Sequence, residues 1–196
     1  MKRTPQQTTS IADHWASMAV VAIVSMLAYV VVINHINLYP WNNLRLLTAE
    51  VPSTLAGVFP FSIYALAFVL RLRWLMLIGA VHSYVWLGLQ IRQWWIPYPF
   101  GPTPLHSDFS WYFEHGYTET IKFLPSIPGR PAPDAEHVVQ QLLLLFVVIA
   151  TTMATLEAYR AHTPERQAAA AARRVLQPTP QTPRARGNKH GMRAED

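Results

Sequence analysis

Glu114, His115 and Glu119 stand in the stretch WYFEHGYTETIKFLP, from Trp111 to Pro125, and they are the groups best placed for acid–base or ligand chemistry. An imidazole beside carboxylates can take and return protons once burial has shifted their pKa values. His115 and Glu119 stand four apart, so on a helix they would share a face and could chelate one ion. His106, Asp108, Asp134, Glu136 and His137 lie in the same region. Nitrogen and oxygen donors of this kind suit zinc or another transition metal. The spacing matches no metal motif, because HExxH is missing and no second histidine falls at ligand spacing. The expectation is therefore no bound metal and no cofactor, with His115 and Glu119 as weak metal candidates and the catalytic residues unknown.

A second group of polar residues shares a level rather than a motif. At about 1.5 Å per residue, Gln90 and Arg92 lie about 24–27 Å along their helix from its basic end. Asn34, His35, Thr54, His137, Gln140 and Gln141 fall at the same height on the other apolar segments. Polar side chains in hydrocarbon are expensive, so they should face one another or a wet cavity. Trp111 and Tyr117 would roof that cavity. The expected ligand-binding set is Asn34, His35, Gln90, Arg92, Trp111, Tyr117, His137 and Gln141. If it faces inward, Arg92 would need an anionic partner, for which Glu50, Glu114, Glu119 and a bound anion qualify. His82 lies near mid-membrane, level with Ser62 and Tyr64, either of which could hydrogen-bond it.

The elements that must position these groups are four apolar segments, about residues 18–36, 53–70, 74–95 and 138–156. Each is long enough as a helix to cross a hydrocarbon layer of about 30 Å. Helix is the default there because it satisfies its own backbone. Asn34-His35-Ile36-Asn37 is no small-residue cleavage site, so the first segment reads as a retained helix. Pro60 predicts a kink near Phe59. Pro-rich arms flank the aromatic stretch, and Asp108 to Phe123 could hold a short helix capped by Ser107 or Asp108.

Charge sets the orientation. Twelve of the lysines and arginines lie in the N-terminal segment, the turn at Arg71 and Arg73, and the tail from Arg160, against four (Arg45, Arg92, Lys122, Arg130) elsewhere. By the positive-inside rule both termini are cytoplasmic. The net charge of +5 sits mainly in that tail, where it suits anionic lipid headgroups. No aromatic interleaving or nucleic-acid module accompanies it, which argues against a nucleic-acid partner. Cysteine is absent, which excludes disulfides, thiolate metal sites and cysteine nucleophiles. Only 14% of residues are charged, against about 25% in soluble domains. The cysteine pairs of the vitamin K epoxide reductase type are missing, and four spans are one fewer than tryptophan-rich sensory proteins have.

The sequence thus predicts an all-α integral membrane protein, with four transmembrane helices in an antiparallel bundle and a long aromatic outer loop. A cytoplasmic segment (1–17) precedes the transmembrane domain (18–158, outer loop 96–137), and a basic, partly disordered cytoplasmic tail (159–196) follows. The expected location is a cell membrane, the bacterial inner membrane. The expected function is binding of a small or lipid-like ligand, or of a membrane partner or second copy, through the outer pocket. The alternatives are a membrane enzyme or metal-dependent protein using Glu114, His115 and Glu119, and a structural subunit of a membrane complex.

Overall fold

The computed structural model describes residues 5–44, 51–102, 108–161 and 168, with only the backbone for 5–12 and 51–53. Within them every regular element is helical and no strand forms. The long helices are α1 (Pro5–His35), α2 (Val51–Val69), α3 (Arg73–Trp94) and α6 (Ala135–Arg160). Two short helices, α4 (Pro97–Phe100) and α5 (Phe109–Glu114), and a 3-10 turn at Tyr117–Glu119 lie between α3 and α6. The basic tail beyond residue 161, Arg45, Glu50, His106 and the alternative cap Ser107 lie outside the described residues.

Among the described residues, three stretches are long and apolar enough to cross a membrane: Asp13–His35, Arg73–Phe100 and Ala135–Arg160. Their outer faces are apolar as well as their contacts. Val21, Val24, Ile78, Val85, Leu142 and Ile149 are all exposed. A helix that is apolar all round belongs in an apolar surround, so the described chain is that of a helical membrane protein.

α1 packs against α2 and α6, and α3 against α6 and α2. The α1 contact face is a row of mainly small residues, Ala16, Ala19, Ala22, Ile23 and Met26, at successive spacings of one or three. Leu144, Val147, Ala150 and Ala154 of α6 belong to the same core. Small side chains let helix axes approach closely where lipid offers no hydrophobic drive. Gly79 of α3 does the same against α2, where a Cβ would fall 2.9 Å from Tyr64 Cγ.

The ends of the helices are tied in pairs. Arg71, just past α2, bonds Asp13 of α1 at 2.6 Å. At the other end Asn34 Nδ2 of α1 donates to Thr54 Oγ1 of α2 at 2.8 Å. Likewise Thr155 Oγ1 of α6 donates to the Met76 carbonyl near the start of α3 at 3.3 Å. Trp95, just past α3, donates from Nε1 to Gln141 Oε1 of α6 at 2.6 Å. α2 runs through Pro60 without a break. It ends with Arg71 at φ 58° and a bond from Leu72 N to the Ala67 carbonyl, a left-handed helix stop. His82 is held by Tyr64, whose hydroxyl lies 2.9 Å from Nδ1; Ser62 instead bonds the Val58 carbonyl of its own helix.

Candidate polar cavity beneath an aromatic loop

The segment between α3 and α6 folds back over the helix ends. Asp108 caps α5, its Oδ1 accepting from Trp111 N at 2.8 Å. The bond from the Ser110 hydroxyl, with that from Trp111 N, holds the Asp108 carboxyl below its usual range. α5 stops at Glu114, and Gly116 takes φ 74°, a left-handed conformation that glycine adopts without a Cβ clash. Past that reversal Lys122 and Asp134 form an antiparallel bridge, with Phe123 N donating to Pro133 O and Ala135 N to Ile121 O. Tyr112 is buried and its hydroxyl donates to the Ala132 carbonyl at 2.6 Å. Burial pushes that phenol up.

Asp134 closes the loop and opens α6. Its Oδ1 accepts from His137 N at 2.9 Å, satisfying a free amide of the first turn. The same oxygen lies 2.7 Å from His137 Nδ1, and Oδ2 accepts from Thr120 Oγ1 at 3.2 Å. Asp134 is fully buried. Burial alone would raise its pKa, but the His137 charge and hydrogen bonds, with the Lys122 charge, outweigh it and hold the carboxyl below its ordinary value. Lys122 is lowered by burial against the opposing pull of Asp134. Its ammonium donates to Thr120 Oγ1 and the Tyr117 carbonyl and lies 5.2 Å from the Tyr112 ring centre.

An aromatic layer rests on this base. Trp94 stacks on His137 with ring centres 3.7 Å apart and meets the edge of Tyr117 at 4.9 Å. Tyr112 and Tyr117 lie 5.7 Å apart, and Trp111 and Tyr117 5.6 Å. Such pairs are worth about 0.5–1.5 kcal/mol each beyond their burial. The layer is therefore a connected set of ring contacts.

Beneath it lies a cavity of about 170 Å³. Its polar wall comprises Asn34, Asn42, Asn43, Gln90, Glu136, His137 and Gln140, with Tyr117 also lining it. Its apolar wall includes Met26, Leu27, Val30, Phe61 and Trp86. Asn42 is buried and organises one side, donating to the Ile33 and Ile36 carbonyls at the end of α1 and accepting from Leu38 N. Asn43 Nδ2 donates to Glu119 Oε2 at 2.8 Å. Tyr29 receives Trp41 Nε1 and donates to the Glu136 carbonyl.

Four residues of the expected binding set, Asn34, Gln90, Tyr117 and His137, thus line one cavity. The other four stand elsewhere. His35 is exposed at the end of α1, and Arg92 is exposed on α3. Trp111 sits in the aromatic layer, stacked on His115 at 4.2 Å. Gln141 turns to Trp95 and lines an apolar cleft with Leu87, Ile91, Val138, Leu142 and Leu145.

None of Glu114, His115 and Glu119 lines the polar cavity. The helix that would have put His115 and Glu119 on one face ends before both of them, so the four-residue spacing does not pair them. His115 Nδ1 is 2.7 Å from the Trp111 carbonyl. Asn42 and Asn43 are the lining residues that sequence reasoning missed. Their signal was an adjacent amide pair just after a proline and an apolar run, which reads equally well as an ordinary loop. No family model, curated protein or solved structure matches this chain.

Proposed function

We propose that the chain is a four-span membrane protein, its helices antiparallel, that binds a small or lipid-like ligand in the cavity beneath the aromatic loop. The observation that carries the reading is the convergence of amides, an imidazole and a carboxylate from α1, α3 and α6 on one space with an apolar floor. Binding sites combine an apolar wall with a few convergent polar groups in this way. The volume is below the 300–1,000 Å³ common for drug-sized ligands, so the ligand is small or enters by one end only.

α2 is the proposed fourth span. Its apolar stretch Thr54–Val69 is shorter than the other three, and the helix as a whole runs from Val51. The paired helix ends support alternation of direction. Arg71, Arg73 and Arg160 fall at one end, and Arg92, Lys122 and Arg130 at the other or in the loop. With the arginines of the tail, this bias favours a cytoplasmic location for both termini and an outward-facing cavity, in a membrane such as the bacterial inner membrane.

Gly57 provides the test. It lines the cavity, and a Cβ there would meet nothing within 4 Å. Gly57→Ala should leave the cavity usable, whereas Gly57→Leu should fill it. Native mass spectrometry of gently extracted protein should detect a bound small molecule or lipid in the parent and Gly57→Ala proteins and lose it in Gly57→Leu. Equal retention in all three would refute the reading.

A further inference from the structure

Where α6 begins, ligand atoms of Asp134, Glu136 and His137 all lie within 4.8 Å of one another, and all three residues are buried. Capping explains Asp134, and stacking on Trp94 explains the burial of the His137 ring. Neither explains Glu136. It is 6% exposed and lines the cavity. Gln90, which lines the same cavity, offers Oε1, a buried acceptor with no donor among the described residues. A buried carboxylate and a buried amide oxygen facing one space call for a positive guest, because each is costly to leave without one.

We propose that this wall of the cavity binds one divalent transition-metal ion, with His137 Nε2 and the Glu136 carboxylate as ligands and Asp134 as the positioning residue. The roles follow from the geometry. Asp134 holds His137 through Nδ1, and Asp134 itself does not line the cavity while His137 does. The ring's other nitrogen, Nε2, keeps its lone pair free for a metal once Nδ1–H donates to the carboxylate. A carboxylate behind the imidazole fixes the tautomer and raises ligand basicity. An imidazole with oxygen donors selects zinc or a neighbouring transition metal over calcium and magnesium, which prefer oxygen alone. Open positions would be left to water or to a ligand oxygen. This inference rests on the cavity described above but not on any organic molecule occupying it.

The test uses full-length protein without a polyhistidine tag, stripped with chelator, loaded with zinc chloride and desalted. Elemental analysis should find one zinc per chain, and zinc should raise the melting temperature. Glu136→Gln, which keeps the shape, and His137→Ala should each weaken zinc binding at least tenfold. Asp134→Asn should weaken it 10–100-fold. Cobalt in place of zinc should give visible ligand-field bands that His137→Ala abolishes. Melting of each variant without zinc checks that it is folded. Absence of zinc from folded parent protein, or full retention in Glu136→Gln and His137→Ala, would overturn the proposal. Native mass spectrometry of the parent protein separates the two readings, because an organic molecule bound without zinc overturns only this proposal, and zinc bound without an organic molecule overturns only the earlier one.

Discussion

Two glycines of the long helices should respond oppositely to the same change. At Gly57 a methyl group meets open space, and alanine favours helix over glycine by about 1 kcal/mol. Gly57→Ala should raise the melting temperature slightly. At Gly79 the same methyl would press on Tyr64 Cγ at 2.9 Å, and overpacking of this kind costs about 1–3 kcal/mol. Gly79→Ala should lower the melting temperature and disturb the Tyr64–His82 bond, which near-ultraviolet circular dichroism would register. A gain in stability would mean that α2 and α3 are not held at this distance. Asp108 supplies a pH effect at the same scale. Its folded pKa lies below the ordinary aspartate value, so its cap is complete above that value and is lost as pH falls through the lower folded one. Hydrogen exchange at Trp111 N should accelerate in that acid window relative to a Glu114→Gln control, and an Asp108→Ala variant should show the faster exchange at every pH.

The helix ends are where the elements meet the site. Asn42 satisfies two carbonyls at the end of α1 and one loop amide while buried. Removing a partner from buried polar groups costs about 1–3 kcal/mol. Asn42→Ala should therefore destabilise the protein by that order in a denaturation series and loosen the cavity wall. Asn42→Asp keeps the acceptor for Leu38 N but sets a carboxylate against two carbonyls, so it should be at least as damaging. A neutral result for both would mean that the α1 terminus needs no cap.

At the scale of the whole molecule, topology is the decisive measurement. The chain contains no cysteine, so single cysteines can be introduced without background. Ser126 is exposed in the loop and Leu72 is exposed at the opposite end. Ser126→Cys should react with a membrane-impermeant maleimide in intact cells, and Leu72→Cys only after permeabilisation. The reverse pattern would invert the orientation or remove α2 as a span, and labelling of both in intact cells would remove α3 as a span.

The helices and the level of their polar groups were legible in the residues alone. The length of an apolar run is a local property, and height along a helix grows by a constant rise per residue. For that reason Asn34 and Thr54, chosen by level, meet at 2.8 Å, and Gln90 and His137 line one space. The direction in which each group points was not legible. Each residue turns about 100° around the axis, which separates Asn34 from His35 and Gln140 from Gln141, and 200° separates Gln90 from Arg92. Helices that are apolar all round carry no stripe to mark which side faces a neighbour. Only the packing of α1, α3 and α6 chose Gln140 over Gln141 for the cavity. Only the reversal at Gly116 parted His115 from Glu119 and brought the loop back, so that Asp134 could cap α6 beside Glu136 and His137.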